Sequence, residues 1–102
     1  MLDAVYGQQI ERYYLRLREM GLVRSRRDYG RRWLRRASTY MHDLRGKKRE
    51  WALVRPDTTA HLRERLTAVA DLLPPGLAAE VRAVVSDIDR DVTVVGLLRS
   101  GR

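Results

Sequence analysis

Residues 25–48 read SRRDYGRRWLRRASTYMHDLRGKK. Six of the first twelve are arginine, yet tyrosine, tryptophan and leucine interrupt them. A disordered basic tail has no use for such interruptions, whereas a basic helix that packs on one side requires them. Ser25 and Asp28 have the spacing of a capping box, a hydroxyl receiving an amide proton three residues on while the carboxylate reaches back. Advancing about 100° per residue from there separates two faces. Tyr29, Gly30, Trp33, Leu34 and Ala37 fall on one, and Arg27, Arg31, Arg32, Arg35 and Arg36 on the other. A short helix follows from Ser38 or Thr39 to Arg45, with Met41 and Leu44 inward, Tyr40 outward and Gly46 as its end.

Working outward, residues 3–20 place Tyr6, Ile10, Tyr13, Tyr14, Leu17 and Met20 at helical spacing. Asp3 is a plausible start, Gly21 a stop, and Gly7 weakens the first turns. Residues 47–57 form a basic connector whose Trp51, Leu53 and Val54 need burial. Pro56-Asp57-Thr58 opens a fourth helix with Leu62, Leu66, Val69, Ala70 and Leu73 on its apolar side. Pro74-Pro75-Gly76 breaks the chain. Leu77, Val81, Val84, Val85, Ile88, Val92 and Val95 then recur every three or four residues, although "DVTVVGLL" is β-branched enough to fray or turn extended.

These elements make a single all-α, five-helix domain over 1–102: a three-helix unit at 1–46, the connector at 47–57 and C-terminal helices at 58–98. Charge is segregated within it. Residues 24–49 hold eleven basic side chains against Asp28 and Asp43, net +9, while the whole chain carries +8, so the remainder sums to −1. Such asymmetry points to a polyanionic partner, nucleic acid before anionic membrane. No apolar run approaches the roughly 18 residues that span a bilayer, so no membrane partner and a cytoplasmic, nucleoid-associated location are expected. The chain has no cysteine, which excludes disulfides, thiol catalysis and cysteine zinc sites. Asp87, Asp89 and Asp91 imitate a calcium loop, but Val92 stands where glycine is needed and Leu98 where glutamate is needed. No metal, cofactor or enzymatic activity is expected, since no catalytic triad, paired-carboxylate cleft or phosphate-cradling glycine loop is evident.

"YGRRWLRRASTYMHDLRGK" resembles the repressor-type (lambda repressor/Cro-type) helix-turn-helix pattern L-A-x-x-L-G-x-S-x-x-T-I-S-x-I-x-x-G-K. Tyr29-Gly30 stands at Leu-Ala, Trp33 at the next core place and Gly46-Lys47 at the closing Gly-Lys. One extra residue at Leu34-Arg35 puts Met41 and Leu44 on the two inward positions. The stretch 22–44 is also similar to a family of small bacterial helix-turn-helix proteins with the pattern GLV-x-S…W-L-G-R-S-x-S-Y. Two departures stand out: the turn glycine is Arg35 here, and the connector after Gly46 is longer.

The resemblance implies a transcriptional regulator of double-stranded DNA, a dimeric repressor with its third helix in the major groove. Ser38, Thr39, Tyr40 and His42 would read bases. Arg27, Arg31, Arg32, Arg35, Arg36, Lys47, Lys48 and Arg49 would contact phosphates. Val81, Val84, Ile88, Val92 and Val95 would pair two copies into a homodimer, the alternative being that this stripe is the back of the monomer core. Two rival partners fit the same charge: another regulatory protein, with the chain as antiactivator or adaptor, or structured RNA stacked on Tyr40 or Trp51.

Overall fold

Gly21 has φ +79°, a backbone conformation that glycine adopts without penalty, and it closes the first helix. Its amide donates to the Arg18 carbonyl at 2.9 Å and the next amide, Leu22, to Leu17 at 3.0 Å. This pair of bonds satisfies two carbonyls that a helix end otherwise leaves open. The computed structural model describes residues 4–46 and 51–100. Among these it is all-α, with α1 (Gly7–Glu19), α2 (Arg26–Asp28), α3 (Tyr40–Gly46), α4 (Pro56–Ala70) and α5 (Pro75–Ser100). A π-helical turn, Tyr29–Trp33, continues α2 without a break.

Helix α1 begins at Gly7 rather than near residue 3, because the residues before it are bonded elsewhere. Val54 N–H donates to the Val5 carbonyl at 2.8 Å and Gly7 N–H to Ala52 at 3.0 Å, around an antiparallel bridge between Tyr6 and Leu53. The Gln9 side chain accepts the Tyr6 amide at 2.7 Å and marks the true start. That bridge also disposes of the connector: Val54 is buried and Leu53 half-buried. Trp51, expected inside, is 67% exposed, with its ring edge against Tyr6 at 5.8 Å.

Helices α4 and α5 run antiparallel after the Pro74 break. Arg63 chelates Asp89 near one end of the pair, at 2.7 and 3.0 Å, and Arg82 meets Asp71 at 3.1 Å near the other. Helix α1 crosses α5 through Arg16 to Asp87 and the Tyr13 hydroxyl to Asp91. The three alternate aspartates are therefore straps. Residues 87 and 91 share a helix face towards α1, while 89 faces α4. Among the described residues no cluster of potential metal ligands forms. Nor is any described helix long and apolar enough to cross a membrane.

The valine stripe corrects one expectation. Val81, Val84 and Ile88 are fully buried, Val95 is 1% exposed and Val92 half-buried, all within a single copy of the chain. With no phenylalanine available, the monomer needs these β-branched side chains to fill the space between α5, α4 and α1, which leaves no stripe over for a partner. Residues 91–98 correspondingly stay helical to Ser100. Buried Val95 and half-buried Val92 gain more from packing than their intrinsic helix propensity costs, a few tenths of a kcal/mol each.

Two buried phenols predict alkaline unfolding. Burial first, and then the Asp91 carboxylate, pushes the Tyr13 hydroxyl far above the normal value for a phenol, and burial does the same to Tyr29. In the unfolded chain both ionise near pH 10. Above that pH the unfolded state binds fewer protons than the native state, so stability present below pH 10 is lost as pH rises. The loss is about 1.4 kcal/mol per pH unit per tyrosine, or about 3 kcal/mol per unit together. Helical circular dichroism is expected to vanish in step with the last phenol ionisations. Complete ionisation with an intact helical signal would contradict this.

Candidate nucleic-acid interface

Helix α2 starts as its sequence requires, with Ser25 Oγ accepting the Asp28 amide at 3.2 Å. The Asp28 carboxylate reaches back one residue further than a regular capping box, to the Arg24 amide at 3.5 Å. Tyr29, Gly30, Trp33 and Leu34 are buried as the helical wheel demands, whereas Ala37 is exposed. Tyr29 sits on α1, its hydroxyl donating to the Ile10 carbonyl at 3.1 Å and its ring 5.4 Å from that of Tyr14. Arg26 turns inward to Glu11 and lies 4.7 Å above the Tyr14 ring, so it takes no part in the cationic face.

The turn after α2 accommodates one more residue than a regular helix would. Leu34 N–H donates five residues back, to Tyr29 at 3.1 Å, and Arg36 N–H six back, to Gly30 at 2.8 Å. This wide turn absorbs the additional residue at Leu34-Arg35 and leaves both Met41 and Leu44 buried. It closes through Arg35 at φ +56°, the only non-glycine residue with positive φ among those described. A side chain in that conformation costs about 1–2 kcal/mol, while glycine gives back about 0.5–1 kcal/mol through its freer unfolded state. Arg35→Gly should therefore stabilise the protein by about 0.5–1 kcal/mol. A urea midpoint that falls instead would mean the arginine side chain contributes more than its backbone costs. Gly30 is constrained differently: a Cβ there would lie 3.2 Å from the Ala37 carbonyl oxygen, across the α2–α3 junction.

Arg27, Arg31, Arg32 and Arg35 project into solvent, and Arg36 is half-buried with its guanidinium 5.2 Å above the Tyr40 ring. Arg32 pairs with Asp28 at 3.2 Å. Arg27 and Arg31 meet no carboxylate among the described residues. A cleft lined by Arg27, Asp28, Arg31, Arg32 and Ser38 lies between this ridge and the segment leading into α3. Lys47, Lys48 and Arg49 lie outside the described residues.

The four expected base readers separate into two kinds. Thr39 and His42 are exposed, Thr39 donating to Asp43 at 3.3 Å. Ser38 is half-buried in the arginine cleft. Tyr40, expected outward, is half-buried: it stands four residues before buried Leu44 and so flanks the inward face of α3, with its Cβ against Gly30. Burial raises its phenol pKa above the ordinary value.

Two residues of α4 join the surface unforeseen. His61 Nδ1 is 3.5 Å from Arg35, and the Arg65 guanidinium stacks 4.8 Å over Trp33. No periodicity in the sequence marks them, since their place depends on how α4 docks against the π turn.

A family model described as a family of unknown function (DUF6626) matches residues 10–90, and the chain belongs to that family. The match contains α2, the π turn and α3 in full. No curated protein and no solved structure matches the chain.

Proposed function

We propose that the chain is a double-stranded-DNA-binding regulator of the helix-turn-helix kind, acting by occupying its site. The observation that carries this reading is the two-sidedness of residues 26–36. Tyr29, Trp33 and Leu34 anchor the segment in the core with Met41 and Leu44, while Arg27, Arg31, Arg32 and Arg35 leave it into solvent beside α3. A ridge of cations next to a short helix with exposed polar side chains has the two components that duplex recognition needs. Phosphate contacts set the register, and Thr39 just before α3 and His42 on it meet base edges in the major groove. Ser38 belongs with the phosphate-contacting set, given that it shares its cleft with Arg27, Arg31 and the Arg32–Asp28 pair. Two-fold pairing, if the site is palindromic, has to use a surface other than the buried valines of α5.

The test is fluorescence anisotropy of a labelled random duplex between 50 and 200 mM salt. Five to eight phosphate contacts give a slope of log K against log salt of about −4 to −7, with micromolar affinity at the low end. Absence of binding at the lowest salt would favour an adaptor that docks on another regulator's acidic patch. Preference for a hairpin RNA over the duplex would favour the RNA reading. Selection of genomic fragments by the purified protein would then identify the operator.

A further inference from the structure

The arginine cleft has a use beyond holding a DNA phosphate. Ser38 is the one hydroxyl among its lining residues, beside Arg27, Arg31 and Arg32 and a single carboxylate, Asp28, which is turned to Arg32 at 3.2 Å. Two of these guanidinium groups, Arg27 and Arg31, have no carboxylate partner among the described residues. Ser38 lies in the turn before α3, outside any helix, and is half-buried rather than enclosed. Its local sequence is Arg35-Arg36-Ala37-Ser38, with two cations two and three residues upstream of the hydroxyl, Arg35 exposed beside His61 and Arg36 half-buried over Tyr40. An acidic substrate groove would grip such a segment.

We infer that Ser38 is a phosphorylation site for an arginine-directed serine kinase, and that its phosphate occupies the arginine cleft and blanks the ridge. In the transfer step Ser38 Oγ attacks the γ-phosphorus of ATP held by the kinase. The bond from that phosphorus to the bridging oxygen breaks, ADP leaves, and the hydroxyl proton passes to the kinase's base. A phosphoserine carries about −1.5 to −2 charge and three acceptor oxygens. Facing an arginine cluster, it makes charge-assisted bonds to guanidinium groups that would otherwise meet DNA. The consequence for DNA rests on the function proposed above, whereas the seat for the phosphate does not.

Three measurements separate the two. Incubation with an arginine-directed serine kinase and ATP should label Ser38, as located by fragment mass spectrometry; failure to label it overturns the modification. Phosphoserine installed at position 38 should show, by phosphorus NMR, a second ionisation about one unit below its usual value near 6. Arg27→Ala with Arg31→Ala should return it towards 6, and phosphoserine at position 72, 85% exposed and with no basic residue within four positions on either side, should sit there from the start. An unshifted ionisation at 38 means the cleft does not hold the group. Engaging Arg27 and Arg31 should weaken duplex binding about 60-fold at 0.1 M salt, with the position-72 protein close to the unmodified one. Unchanged affinity of the position-38 phosphoprotein overturns the switch while leaving the DNA reading in place. Absence of duplex binding by the unmodified protein overturns that reading instead, and the NMR shift then decides the phosphate seat alone.

Discussion

Replacing Arg31 and Arg32 together by alanine should weaken binding to every duplex about 60-fold at 0.1 M salt, because each lost phosphate contact forfeits about 0.9 of a released counterion. The same loss makes the salt slope shallower by about 1.8. Both side chains stand in solvent, and in the Arg32–Asp28 pair that disappears the guanidinium is largely solvated, which keeps its worth to stability at about 1 kcal/mol. Reduced affinity would therefore report on binding rather than on unfolding. The comparison that gives it meaning is Thr39→Ala with His42→Ala, also at exposed positions. That pair should erase preference for the selected operator and leave random-duplex affinity and its salt slope nearly untouched. Identical behaviour of the two pairs would show that the ridge and α3 do not divide anchoring from reading.

The second large effect falls on stability. Tyr29→Ala should cost about 3–5 kcal/mol, the range for removing a large aromatic from a core that cannot collapse around the space. Tyr29 has no exposed surface, and it links α2 to α1 through both its ring and its hydroxyl. For a domain whose whole stability is of order 5–15 kcal/mol, this is a large share. Tyr29→Phe separates the two contributions: the ring stays, only the bond to the Ile10 carbonyl goes, and the cost should be near 1 kcal/mol. Urea unfolding measures both. Equal costs would mean the hydrogen bond rather than the packed ring holds α2 in place, and the ridge with it.

The candidate site was partly legible before any coordinates. The separation of Tyr29, Trp33 and Leu34 from the exposed arginines follows from helical periodicity, which is local and survives into the folded chain. The need for one extra residue at Leu34-Arg35 was also readable against the repressor-type pattern, because it puts Met41 and Leu44 on the inward positions. Its form was not: a π turn closed by an arginine at positive φ depends on Gly30 lying close beneath Ala37. Tyr40, expected outward, flanks the inward face instead, because it lies one turn before Leu44 and meets Gly30 across the junction. Arg65 and His61 gave no signal, since side chains more than twenty residues away in sequence meet the π turn only after α4 has docked.

By itself the sequence determined that the chain is helical, where the breaks at Gly21 and Pro74 fall, and that one quarter of it holds the whole charge excess. These depend on capping, backbone freedom and side-chain periodicity, which act over a few residues. Tertiary structure decided the rest. It turned the valine stripe of α5 into the interior of one copy, and kept residues 91–98 helical despite their β-branching. It drew Val5 and Tyr6 out of α1 to pair with the connector, and used three alternate aspartates as straps to α1 and α4. Each outcome turns on which distant surface covers a given face, and burial against that surface contributes more free energy than the local preference it overrides.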